Sequence, residues 1–276
     1  MATDYYLQAN MSTADGNNSP LSDGIWFTDS VVGQGVSKAT DGGTFGGNSF
    51  YINGFAFRTQ NTNGSGSFSG KVVVSKAAPT MELLTGTWSA NGGMDIDNSI
   101  LMRVRRPTAN LNVTDMNLGS SADLSFRSHN ATNKNLKLSL DTLSGSGNVT
   151  FGFFSGDDDA TWGVSITDSS TFTGVMDLQY GQLTFDDTLL ADGSSLTIDS
   201  SKTNTVVLSN NVTFGSVLYG GVELDAGVYD SAALNLVTAA GQFSGAGTFT
   251  IVPEPSTYTL IGGMLALSAV MLRRRH

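Results

Sequence analysis

One short signature recurs along this chain: an apolar residue, a polar one, then another apolar one. It reads Leu111-Asn112-Val113, Met116-Asn117-Leu118, Leu124-Ser125-Phe126 and Leu136 to Leu140, then Val149-Thr150-Phe151, Val164-Ser165-Ile166 and Met176-Asp177-Leu178. Leu183-Thr184-Phe185, Leu196-Thr197-Ile198, Val206 to Leu208, Val212-Thr213-Phe214, Val222-Glu223-Leu224 and Phe249-Thr250-Ile251 continue it. Alternation with period two puts the outer residues of each triplet on one face of a strand and the middle residue on the other. Gly, Asn, Asp and Ser fill the gaps, which is turn chemistry. Strands this short are not stable alone, so each has to stack on its neighbours.

Longer similarities point the same way. Leu143-Ser144-Gly145-Ser146-Gly147-Asn148-Val149-Thr150-Phe151 matches Phe243-Ser244-Gly245-Ala246-Gly247-Thr248-Phe249-Thr250-Ile251 position by position. Phe68-Ser69-Gly70-Lys71-Val72-Val73-Val74 is similar to Phe172-Thr173-Gly174-Val175-Met176-Asp177-Leu178. Diverged copies at uneven spacing fit a solenoid whose coils carry loops of different length. The segment 143–151, with Phe172-Thr173-Gly174 and Gly181 to Phe185, resembles the autotransporter-associated β-strand repeats of bacterial surface proteins. That resemblance covers about 143–200 and implies a right-handed parallel β-helix. Over 61–252, coils of ~20–25 residues give about eight or nine turns. A β-sandwich of lectin type is the alternative fold, since short alternating strands also build sandwiches.

The two ends read differently. Residues 1–60 carry Tyr5-Tyr6, Trp26 and the glycine-rich run 41–47, and are expected to form an irregular N-terminal β cap over the open strand edges. Residues 220–229 start a hairpin-like closing unit, 231–237 form a short helical turn, and 249–252 are the last strand.

The tail, 253–276, is the third region. Pro253-Glu254-Pro255 precedes an apolar run from Tyr258 to Leu272, and Arg273-Arg274-Arg275-His276 ends the chain. As a helix the run spans roughly 22 Å at 1.5 Å per residue, short of the ~30 Å hydrocarbon core. Snorkelling arginine stems supply part of the difference. The positive-inside rule puts the arginines in the cytoplasm and the rest of the chain outside. Order, spacing and terminal position resemble the PEP-CTERM sorting signal of exported bacterial proteins. The resemblance makes Pro253, Glu254, Pro255, Arg273, Arg274 and Arg275 the sorting residues. It implies an exosortase-type membrane protease as partner, transient anchorage in the bacterial inner membrane, and then release or attachment at the cell surface. The plainer alternatives are a simple anchor or a tail docked on its own core. Met1 to Tyr5 form no signal peptide, so export implies a start upstream of Met1.

Composition narrows the chemistry. There is no cysteine, which removes disulfides, thiolate nucleophiles and cysteine-ligated metal. Glycine numbers 33, and the only glutamates are Glu82, Glu223 and Glu254, an aspartate-rich balance that favours turns over helices. The net charge of −10 excludes nucleic acid as a partner. Arg103, Arg105 and Arg106 form the one internal basic cluster, read as a solvated patch.

Asp157-Asp158-Asp159 is the densest acidic run, but it lacks the alternating ligands and closing glutamate of a calcium loop and reads as a solvated turn. Asp186-Asp187 could meet 157–159 or Asp168 on a neighbouring coil as a carboxylate pair for glycoside cleavage. Against that, no arginine or lysine lies between Lys137 and Lys202 to neutralise a substrate. His129 and His276 are the only histidines, too few for a zinc site. No Gly-x-Ser-x-Gly elbow stands out, and Gly145-Ser146-Gly147 and Gly245-Ala246-Gly247 are turns, since no helix follows them. Phe151, Phe153 and Trp162 are expected in the core, and asparagines on the turns are expected to ladder. The chain therefore reads as a non-enzymatic, cofactor-free surface or matrix protein, adhesin-like. A secreted polysaccharide-binding or polysaccharide-degrading β-helix, with extracellular polysaccharide as partner, is the alternative.

Overall fold

The computed structural model describes residues 4–7, 26–27, 44–45, 49–52, 57–58, 66–76, 78–83, 86–104, 108–128, 135–152, 161–202 and 204–252. These residues form an all-β parallel solenoid with one short helix. The strand Thr108–Leu118 shows how a coil is built. Its first half pairs with Gly86–Ala90 and its second half with Met94–Ile96, both in parallel, so it turns a corner between two sides. The third side is the second sheet, where Ile100–Val104 pairs with Asp123–Ser128 and that strand with Asn148–Gly152. Each coil therefore has three sides around one core.

About six regular turns run from Gly86 to Tyr219, starting at Gly86, Thr108, Asn135, Thr161, Gly181 and Asn204. Before them, Gly66–Phe68, Lys71–Val74 and Ala78–Leu83 pair in parallel with the three sides of the first of these turns, and after them 243–251 forms a partial coil. The eight or nine turns expected over 61–252 are more than the about six that the solenoid has, because several coils run longer than the ~20–25 residues assumed. On the side shared by Val72, Met94, Met116 and Leu143, partners are 22, 22 and 27 residues apart. Parallel pairing at one-coil offsets overturns the β-sandwich alternative, which is built from antiparallel neighbours. The ladder continues before residue 61, because Ser49–Tyr51 pairs in parallel with Lys71–Val74.

Alternation follows from the geometry: most strands of the regular turns meet the interior with one face only. Gly181–Phe185 and Asn204–Leu208 both read buried, half-buried, buried, half-buried, buried. The inward residues of all coils merge into one apolar cluster. In-register stacking lines up like side chains, so Phe126 and Phe151 lie 5.5 Å apart with an interplanar angle of 11°. Phe151 and Trp162 are core residues as expected, while Phe153 lies outside the described residues. Asparagines on the corners bond to the preceding coil's backbone: Asn98 Nδ2 donates to Ser75 O (2.6 Å) and Asn210 Nδ2 to Asp186 O (2.8 Å).

Beyond Tyr219 the pattern changes. Gly220 and Gly221, both at positive φ (58° and 79°), make the tight turn that lets Val222–Glu223 fold back antiparallel on Leu218–Tyr219. Gly227–Asp230 pairs antiparallel with Thr248–Ile251, and the helix Ser231–Val237 follows, capped by the Asp230 carboxylate on Ala233 N–H (2.7 Å). Among the described residues no helix is long and apolar enough to cross a membrane. The tail 253–276, with the six residues expected to form a sorting signal, lies outside them.

Candidate functional site

A shallow cleft of about 430 Å³ opens where the third side of the coil turns back to the first. Asp177, Gln179, Tyr180, Asp199 and Lys202 line it. Strand alternation and stacking bring them together. In Val175–Leu178, Met176 and Leu178 point inward, so Asp177 faces out. One coil later, Leu196 and Ile198 point inward, and Asp199 N–H donates to Leu178 O (3.0 Å), seating Asp199 over the end of the earlier strand. Gln179 and Tyr180 N–H both reach Phe151 O, at 2.9 and 3.3 Å. Below them, the buried Trp162 donates its Nε1–H to Tyr180 O (2.9 Å). Asn204, also buried, donates Nδ2–H to Asp199 O (2.7 Å) and Leu178 O (3.3 Å), pinning the floor of the corner.

The two carboxylates are pushed in opposite directions. Burial raises the Asp177 pKa above its ordinary value, the negative charges of Asp199 and Asp123 raise it further, and the bond from Gln179 Nε2 (2.8 Å) opposes them. Asp199 is held below its ordinary value because its Oδ1 accepts both the hydroxyl (2.6 Å) and the N–H (2.8 Å) of Ser201. Carboxylates split in this way are what acid–base chemistry uses. Here each split has a local structural cause: partial burial on a stacked strand for one, a turn closed by serine for the other.

This cluster escapes the sequence because its members are one coil apart, Asp177 and Asp199 being 22 positions distant. No repeated position marks the pair, since Asp177 is the middle residue of one apolar-x-apolar triplet, in register with Thr197, and Asp199 follows the next triplet. The residues singled out by the sequence go elsewhere. Asp186 pairs with Lys137 at 3.8 Å, not with another aspartate, and Gly163 on the intervening coil leaves the lysine room to reach. The stretch 138–201 lacks lysine and arginine in sequence, yet stacking brings Lys137 to Asp186 of a later coil, and Lys202 lines the cleft with Asp177 and Asp199. Asp187 Oδ1 accepts the N–H of Thr188 (2.8 Å) in a local turn. Arg103 stands beside Arg127 in the ladder. Asp157–Asp159, His129, Arg105, Arg106 and His276 lie outside the described residues. Among the described residues no three His, Cys, Asp or Glu side chains converge to hold a metal ion. No family model, curated protein or solved structure matches the chain.

Proposed function

We propose that the protein is an exported, non-enzymatic component of a bacterial surface or extracellular matrix, a rigid solenoid presented outward and sorted through its C-terminal tail. The observation that carries this reading is the junction at Val252. The last strand of the solenoid, Thr248–Ile251, runs directly into Pro253-Glu254-Pro255, the apolar run 258–272 and the arginines 273–275. A proline pair cannot extend either a ladder or a helix, so it separates a finished body from a single membrane-crossing helix. The coil is right-handed, the hand that parallel crossovers take. Its partners are an exosortase-type protease, the inner membrane while the tail is intact, and extracellular polysaccharide after release; nucleic acid and cofactors have no part.

The test is fractionation of the native host with and without its exosortase-type protease. A shortened polypeptide at the surface or in the medium, and an intact membrane-bound one when the protease is missing, is the expected result. Intact polypeptide dissolved in the cytosol would overturn the proposal.

A second reading is favoured by one observation, the opposed carboxylates Asp177 and Asp199 in a cleft with Lys202. It makes the protein a polysaccharide-cleaving solenoid. Incubating the full chain with neutral and acidic glycans decides it: reducing ends or unsaturated products that vanish in Asp177→Asn would replace the first reading with this one.

A further inference from the structure

Everything from Gly220 to Val252 is stacked on the far end of the rod, beyond its last regular turn. Val222–Glu223 and Gly227–Asp230 close the ladder with antiparallel edges, and the helix Ser231–Val237 packs against Gly227–Asp230 and Phe243–Ser244. Among the described residues five large hydrophobic side chains are exposed, and four are here: Val222 (67%), Val228 (69%), Leu236 (82%) and Val237 (54%). The fifth, Leu190, sits within the regular turns. The helix buries only Leu234 and turns Leu236 and Val237 outward. Surface helices normally hide their apolar stripe, and the cap of a solenoid normally presents a polar outer face. This end exposes four large aliphatic side chains among its acids.

We infer that this end face rests on a lipid bilayer, its exposed aliphatic side chains entering the boundary between headgroups and acyl chains. The inference rests on reading 258–272 as the membrane segment. The chain leaves the solenoid at Val252, whose N–H donates to Phe214 O (3.0 Å), and Ile251 is paired with Gly227, the neighbour of Val228. The exit point therefore lies beside Val228, on the strand that packs against the helix carrying Leu236 and Val237. Only residues 253–257 separate Val252 from the apolar run, a tether of at most about 18 Å. A tether that short raises the effective concentration of lipid at the end face, so a shallow contact becomes populated without high intrinsic affinity.

Charge specifies the kind of surface. Glu223, Asp225 and Asp230 are exposed at this end, and no lysine or arginine occurs between Lys202 and Arg273. Nothing here attracts an anionic lipid. The contact is hydrophobic, insensitive to salt and suited to a zwitterionic surface.

The lack of cysteine permits a clean experiment on the full chain. Val228→Cys, Leu236→Cys, Leu190→Cys and Ala266→Cys are each labelled with a polarity-sensitive fluorophore and reconstituted into phosphatidylcholine vesicles. The expected result is a blue shift at 266, 236 and 228 and none at 190. Adding Leu236→Asp and Val237→Asp should abolish the shift at 228 while leaving that at 266. A shift at 266 with 228 and 236 behaving like 190 overturns the inference and leaves the tail reading standing. No shift at 266 sinks the tail reading and the inference with it. A shift at 236 that grows with the protein-to-lipid ratio assigns the face to a second copy of the chain, which also overturns the inference.

Discussion

The regular turns and the closing unit solve the same problem, covering a strand edge, by opposite means. Between Gly86 and Tyr219 each coil is covered by the next in parallel register, and inward side chains stack on counterparts one coil away, as Phe126 meets Phe151. After Tyr219 there is no next regular coil. The step from Val206 to Phe243 is 37 residues, where the step from Leu183 to Val206 is 23. The extra chain is spent on an antiparallel pair on each exposed edge and one helix. The turns are held by many mutually supporting contacts, while the closing unit hangs on a few. The lesson is that one chain with one composition carries a cooperative body and a locally stable end, which should respond differently to the same kind of damage.

The largest difference should come from the core. Phe126→Ala removes a fully buried ring stacked at 5.5 Å on Phe151, a change that costs about 3–5 kcal/mol. In the body that loss is global, a fall in Tm on the order of 10 °C. Leu234→Ala empties the one buried position of the helix, yet it should leave the main melting transition in place and abolish hydrogen-exchange protection only within 220–252. Identical Tm losses for the two variants would show that the closing unit and the turns unfold as one.

The next contrast uses two glycines in equivalent local settings. Gly145 and Gly245 have φ of 94° and 101°, and a Cβ on either would come within 2.0 Å of Leu118 O or 2.3 Å of Leu208 O. Alanine at each costs about 1–3 kcal/mol for the backbone alone, and the carbonyl clash adds to it. Gly145→Ala should lower the main Tm; Gly245→Ala should loosen the end coil first, visible as selective exchange of the Thr248–Ile251 amides.

These two glycines also show what the sequence could and could not reveal. The nine-residue match of 143–151 with 243–251 is a true structural match: each is strand, Gly-x-Gly corner, strand, with Gly147 and Gly247 N–H donating to Leu118 O and Leu208 O at 3.2 and 2.8 Å. Yet the corners differ. Val149 stacks beside Leu124 on the third side, whereas Phe249 stacks beside Val212, whose predecessor Leu189 is the bent-strand counterpart on another side. A repeat in the sequence reports the geometry of a corner, not which corner of the coil it occupies. Alternation was legible for the same reason, since it depends on near neighbours in the chain. The cleft was not, because Asp177 and Asp199 meet only once the length of the intervening coil is known.

A smaller effect is expected at the helix start. Asp230 accepts the Ala233 N–H at 2.7 Å, and Asp230→Ala should cost about 1 kcal/mol of local stability. Exchange should quicken in Ser231–Val237 alone, and Asp230→Asn, which keeps an acceptor, should restore the protection. Faster exchange in the turns as well would mean that the cap supports the body.

The smallest effect lies in the body's cleft, and its sign is the informative part. Burial, aided by Asp199 and Asp123, raises the Asp177 pKa, so the folded protein holds that proton more firmly than the unfolded chain does. The favourable contribution is complete below the ordinary carboxylate range and is lost as pH rises through the raised value. Asp199 behaves in the opposite sense: its Ser201 bonds contribute stability at neutral pH that is lost as pH falls through its lowered value. Asp177→Asn keeps an acceptor for Gln179 and removes the charge, so at pH 7 it should be at least as stable as the native chain, by a margin within about 0.5 kcal/mol. The gap should close as pH falls below the carboxylate range. Paired melting curves at pH 7 and at low pH measure it, and an Asp177→Asn chain clearly less stable at pH 7 would mean that the carboxylate is stabilising the coil, contrary to its buried and crowded position.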